Sequence, residues 1–138
     1  MAAALPRLIG INHVALEVGD IEEALAFYGK IFRFTLRGRG KGQAFIDMGD
    51  QFLALMEVKE PHKDRQRHFG LVVDDRGEVK ALAQAAGAKM VDGPFLDFLD
   101  PWGNRIEAYA DIQFSKAPRV RRGMGLDREK SEKARKEL

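Results

Sequence analysis

Apolar and polar positions alternate over residues 9–18, IGINHVALEV, with Val14, Leu16 and Val18 on one side and Ile11, His13 and Ala15 on the other. A period of two with β-branched residues predicts a strand. Asp20 then stands as an N-cap, with Glu22 and Glu23 in the first turn favouring the positive end of a helix dipole. Ile21, Ala24, Leu25, Tyr28, Ile31 and Phe32 recur at spacings of three and four, the stripe of an amphipathic helix. FTLRGRG (34–40) reads as a short strand entering a Gly-rich turn, and QAFIDM (43–48) and QFLALMEV (51–58) as a hairpin about Gly49-Asp50. The polar, Pro-containing KEPHKDRQ (59–66) reads as a linker.

After the linker the pattern begins again. RHFGLVV (67–73) predicts a strand, Asp74 or Asp75 caps a helix through VKALAQAAG, and Gly87 closes it. Residues 89–91, 94–99 and 104–110 predict three further strands, the last two joined by the DPWG turn. His13 and His68, Leu16 and Leu71, Val18 and Val73, and Asp20 and Asp75 are each 55 positions apart. The chain is therefore two β-α-β-β-β modules, residues 8–58 and 67–111, each too small to bury much surface alone. This predicts an α+β fold in which the two modules pair, within the chain or across a dimer.

Composition adds one domain boundary. The 138 residues suit one domain, here 1–115, and the net charge of +2 is unevenly placed. Residues 1–115 carry 14 Lys/Arg against 17 Asp/Glu, and residues 116–138 carry 9 against 4, so the basicity belongs to a polar C-terminal tail. Glu residues interspersed in that tail dilute any phosphate-binding field, and no nucleic-acid partner is expected. There is no cysteine, which excludes disulfides, thiolate metal sites and Cys nucleophiles. No apolar run approaches a bilayer span and MAAALPRLIG lacks the basic start of a signal peptide, so the expectation is a cytoplasmic protein without a membrane partner.

Strand parity selects the candidate chemistry. If Val14, Leu16 and Val18, and Phe69, Leu71 and Val73, lie beneath the helices, then His13 and His68 point to the opposite, concave side beside Ala15 and Gly70. In the last strand Ile106 and Ala108 take the helix side, leaving Arg105, Glu107 and Tyr109 on the concave one. Two imidazoles and a carboxylate on one face suit a divalent ion with coordination positions left open for substrate. By the same alternation Phe45, Asp47, Phe52, Met56, Arg105 and Tyr109 are candidate lining residues, and Arg105 suits an anionic substrate. RGRGKG (37–42) lacks the Lys-Ser/Thr ending and following helix of a phosphate loop and reads as a hairpin turn.

NHVALEVGDIEEALAFYGKIF, GDQFLALME, RHFGLVVDD and FLDPWGNRIEAYA together resemble the vicinal oxygen chelate superfamily, over residues 8–111. That superfamily includes glyoxalase I, fosfomycin-resistance proteins, bleomycin-resistance proteins and extradiol dioxygenases. The resemblance implies one divalent metal ion (Mn, Fe, Zn, Ni or Co) on His13, His68 and Glu107, inside a cupped mixed sheet built from two paired modules and completed in a homodimer. Trp102 replaces the usual acidic or polar turn residue. Where glyoxalase I supplies a fourth-strand carboxylate this chain has Ala54, a three-ligand pattern nearest the fosfomycin-resistance-like branch. The loop KMVDGPF is shorter than that branch's, and the second-module His residues of an extradiol dioxygenase are missing. The expected function is a metal-dependent lyase, transferase or dioxygenase that chelates a small oxygenated substrate. The alternative is a metal-free, ligand-sequestering protein of the bleomycin-resistance type.

Overall fold

The computed structural model describes residues 11–48, 51–73 and 75–109. Those residues form β1 (His13–Val18), α1 (Ile21–Gly29), β2 (Leu36–Gly40), β3 (Gln43–Met48) and β4 (Gln51–Glu57). The series repeats as β5 (Phe69–Val72), α2 (Arg76–Ala85), β6 (Lys89–Val91), β7 (Leu96–Leu99) and β8 (Arg105–Tyr109). The Gly49-Asp50 turn, Asp74 as an alternative cap and the basic tail fall outside the described residues.

Each module is a four-stranded mixed sheet, ordered β1-β4-β3-β2 in one and β5-β8-β7-β6 in the other. The first strand of each runs parallel to the last, and the others pair antiparallel. The equivalent aspartates open the helices: Asp20 accepts from the Glu23 amide at 2.8 Å, and Asp75 from the Glu78 amide at 2.9 Å. Gly87 follows the α2 cap at φ +82°, the left-handed conformation that glycine adopts without steric cost. β5 is shorter than predicted, so His68 sits one residue before its first rung.

Leu16, Val18, Leu53, Leu55 and Ile46 from the first sheet join Ile106, Ala108 and Phe98 from the second in one buried cluster beneath the helices. The helix stripe predicted from spacing is there, with Ile21, Ala24 and Tyr28 buried and Phe27 added to it. At about 25 cal/mol per Å² of apolar area, this shared core is the main force joining the modules. One polar cluster crosses it and fixes their register.

Asp100, 4% exposed at the end of β7, accepts from the Tyr28 hydroxyl of α1 at 2.7 Å. Its other oxygen accepts from the Trp102 and Asn104 amides, both at 2.9 Å. The Asn104 side-chain amide donates to Asp100 and to the Glu17 carbonyl of β1, each at 2.8 Å. Gly103, at φ +89°, closes this turn against the Lys63 side chain. Trp102 covers Gly19, where a Cβ would meet the indole Nε1 at 2.5 Å. The linker is pinned to the same turn, the Asp64 amide donating to the Gly103 carbonyl at 2.9 Å.

Burial, followed by the adjacent Asp100 charge, pushes the Tyr28 phenol well above its ordinary value. Its contribution to stability is therefore complete below about pH 10, where an unfolded tyrosine begins to ionise, and is lost as pH rises towards the raised folded value. Tyr28→Phe should cost about 1–3 kcal/mol near neutrality, because Asp100 keeps its burial and loses a donor. It should also flatten the alkaline limb of a thermal-melting profile. Equal alkaline sensitivity in wild type and variant would refute that assignment.

Candidate metal centre

Glu107 is the residue from which the site builds outward. It pairs with Gly70 of β5 on one side and Asp97 of β7 on the other, on the face away from the helices. It is 4% exposed, and a carboxylate so far from water is costly unless its charge is met. Oε1 accepts a short hydrogen bond from the Tyr109 hydroxyl. That bond, with burial and the Glu107 charge behind it, raises the phenol above its usual range. Tyr109 reaches Glu107 because residue 70 is glycine, where a Cβ would stand 3.0 Å from the phenol ring.

Oε2 of Glu107 lies 3.3 Å from Nε2 of His68. The His68 Nδ1 is 2.8 Å from the Gln66 carbonyl, which only accepts, so Nδ1 carries the proton. In the neutral ring Nε2 is then a lone pair aimed at a carboxylate lone pair. Only a proton on Nε2 or a cation shared by both atoms reconciles two acceptors at that distance. The separation is what two ligands have on one ion at bond lengths of about 2.0–2.2 Å. The donor set and the space left by Gly70 fit a divalent ion.

His13 is prepared in the same way on β1. Its Nδ1 lies 2.8 Å from the Asn12 Oδ1, freeing Nε2, and its ring stacks on Phe52 at 4.7 Å and 12°. His13 and His68 line one groove of about 420 Å³ together with Met48, Phe52 and Gly70. Among the described residues, however, no three His, Asp or Glu side chains cluster closely enough to share an ion. One chain thus assembles His68 with Glu107 and leaves His13 apart from that pair.

The register places the remaining lining candidates on the two concave faces. On the first sheet His13 pairs with Phe52 and Phe52 with Asp47, while Ala15 pairs with Ala54 and Ala54 with Phe45. Met56 pairs with Glu17 in the next row. His62, in the linker, lies 2.8 Å from Glu17 and holds that carboxyl below its ordinary range. On the second sheet, Arg105 is engaged by protein groups. Its Nε and Nη2 reach Asp97 Oδ2 at 2.7 and 2.6 Å, and Nη1 donates to the Arg65 carbonyl.

Sequence reasoning missed three polar residues here. Asp97, 3% exposed opposite Glu107, had no motif to mark it, and its Oδ1 is buried with no hydrogen-bond partner among the described residues. Glu57 lies off the concave face, and its Oε2 accepts from the first α1 amide, that of Ile21, at 3.1 Å. Arg37 joins the concave face through an irregularity in β2 that alternation does not encode.

A family model described as "Glyoxalase/Bleomycin resistance protein/Dioxygenase superfamily" matches residues 10–108. The chain is 25% identical over 114 residues to a glutathione transferase, FosA, of Serratia marcescens, covering 74% of this chain and 81% of that protein. It is 29% identical over 111 residues to a metallothiol transferase, FosB, of Lysinibacillus sphaericus, covering 70% and 79%. Its fold is similar to that of a Listeria monocytogenes fosfomycin resistance protein, FosX, solved as a point mutant with Mn(II) and 1S,2S-dihydroxypropylphosphonic acid. That match has a TM-score of 0.67 at 18% identity, over 83% of this chain and 99% of that one. A putative glyoxalase family protein of Bacillus anthracis matches with a TM-score of 0.61 at 24% identity, over 76% and 97%. With the repeat, the paired sheets and a family match over both modules, the chain belongs to the glyoxalase/bleomycin resistance protein/dioxygenase superfamily.

Proposed function

We propose that this protein is a divalent-metal-dependent enzyme acting on a small oxygenated molecule, with His13, His68 and Glu107 as the protein ligands. The observation that carries the reading is the pair of facing acceptors, His68 Nε2 and Glu107 Oε2, 3.3 Å apart with Glu107 buried. The two curated relatives are transferases and the FosX structure holds Mn(II), so addition of a nucleophile to a chelated substrate is the reaction class favoured over lyase and dioxygenase chemistry. A bound ion supplies Lewis acidity that polarises the substrate's chelating oxygens. Tyr109 fixes the Glu107 carboxylate by hydrogen bonding one of its oxygens. Phe45, Phe52 and Met56 form an apolar wall. Ala54 leaves the concave-face position of the fourth strand without a carboxylate, so no base comes from that position.

The site is shared between two copies in this reading, with His13 of one protomer completing the His68–Glu107 pair of its partner. Two features support it: the described residues of one chain hold no three-ligand cluster, and Phe45 and Phe52 lie only partly buried on an open sheet face. The metal-free ligand-binding alternative leaves the two facing acceptors to be reconciled by protonation of His68.

Untagged protein should carry, or take up on titration, close to one Mn, Fe, Ni, Co or Zn per chain by elemental analysis. Absence of uptake would leave the metal-free alternative standing. His68→Ala or Glu107→Gln should abolish stoichiometric binding, while Tyr109→Phe should weaken it by about 10–100-fold with the fold intact. Light scattering should give twice the chain mass. His13→Ala and Glu107→Ala proteins, each unable to bind metal, should regain one site per mixed dimer when refolded together, roughly a quarter of all sites at random pairing. No recovery on mixing would place all three ligands within one chain.

A further inference from the structure

Across the first sheet, on the face of His13, runs a row of side chains that ends in a cation. His13 on β1 stacks on Phe52 of β4, Phe52 pairs with Asp47 of β3, and Asp47 binds Arg37 of β2. Arg37 owes its place to a bulge. Leu36 pairs with Ile46 and Gly38 with Phe45, so two residues of β2 are spanned by one step of β3 and Arg37 is the extra one. Ile46 is a core residue and Phe45 a concave-face residue, so the bulge reverses parity at this position. Bulges bend the chain and re-aim a side chain, and they are over-represented beside active sites.

The guanidinium is held in a defined orientation. Nε and Nη2 donate to Asp47 Oδ1 at 3.1 and 2.7 Å, and Nη2 to the Gln51 carbonyl at 3.3 Å. Its Cζ lies 4.9 Å from the Phe52 ring centroid, and that ring also stacks on His13. The other concave-face arginine contrasts with it: the Arg105 side chain is 23% exposed against an Asp97 that is 3% exposed, while Arg37 is 37% exposed against an Asp47 at 25%. A planar guanidinium already oriented by a carboxylate and an aromatic face gives up little rotamer freedom on binding an oxyanion.

We infer that Arg37 reads an anionic group on the bound molecule, separate from the oxygens that chelate the ion. This rests on the metal-cup reading above and narrows its substrate class to chelating oxygenated molecules that carry an additional oxyanion. Arg37 is then a specificity residue, supplied by the module that contributes His13.

Malate and lactate test the inference, since both are α-hydroxy acids and malate alone adds a second carboxylate. Each is titrated calorimetrically into Mn(II)-loaded protein and into protein stripped with a chelator. Wild type should bind malate about tenfold or more tightly than lactate, the scale of one charge-assisted hydrogen bond. Arg37→Gln should erase that preference and leave lactate affinity and Mn(II) uptake unchanged, and Arg37→Lys should keep part of it. A preference retained in Arg37→Gln, equal affinities in wild type, or binding of neither acid overturns the inference. Failure of Mn(II) uptake is a separate result that removes the metal reading. In that case a malate preference in the stripped protein that Arg37→Gln abolishes still supports Arg37, and its absence overturns the role.

Discussion

The buried carboxylate of Asp100 is the contact on which the rest of the arrangement depends. Apolar burial draws the two modules together but is non-directional, and many relative placements would bury similar area. Asp100 removes that freedom by accepting from Tyr28 of the first module, while Asn104 holds both Asp100 and the Glu17 carbonyl of β1. A misplacement would leave a buried carboxylate without its donors, which costs more than the hydrogen bonds themselves contribute. The Asp100–Asn104 turn leads directly into Arg105 and Glu107, so the element that aligns the modules positions the start of β8. Site and scaffold are set by the same few hydrogen bonds.

The candidate metal centre carries the opposite imbalance. Around Asp100 donors and acceptors match, whereas His68 and Glu107 present two acceptors to each other and Asp97 leaves a buried oxygen unpartnered nearby. Natural folds concentrate such disagreement where function needs it. The backbone does not relax it: Gln66 fixes the imidazole tautomer, and Tyr109, admitted by Gly70, fixes the carboxylate. These neighbours hold two groups in an arrangement that neither would adopt for its own sake.

Much of this was legible in the sequence because it rests on period and repeat. Alternation placed His13, Glu107, Phe52 and Tyr109 on the concave faces, and the 55-residue repeat made His68 equivalent to His13 although His68 falls outside the regular strand. The helix caps at Asp20 and Asp75 are chemistry that acts within three residues, so local sequence suffices. The inter-module lock was not legible. Tyr28 and Asp100 are 72 positions apart, and the tyrosine reads equally well as one more apolar stripe residue. The DPWG turn was visible, but its Trp102 gives no hint that it covers Gly19 in the other module.

The two concave-face arginines show why parity alone misleads about charge. Arg105 has the right parity beside Glu107, yet Asp97, eight positions earlier and on the same face, engages it at 2.6 Å. Arg37 has a parity that a regular strand would make uncertain, and its position depends on one extra residue in β2. Whether a cation serves a ligand depends on how it is partnered and how far water reaches it, and both are properties of register. In the Arg105–Asp97 pair the carboxylate is buried and the guanidinium is drawn onto it, which serves structure. The half-exposed Arg37–Asp47 pair keeps its guanidinium oriented and in solvent, and a bulge that sets such a cation beside His13 and Phe52 favours recognition over packing.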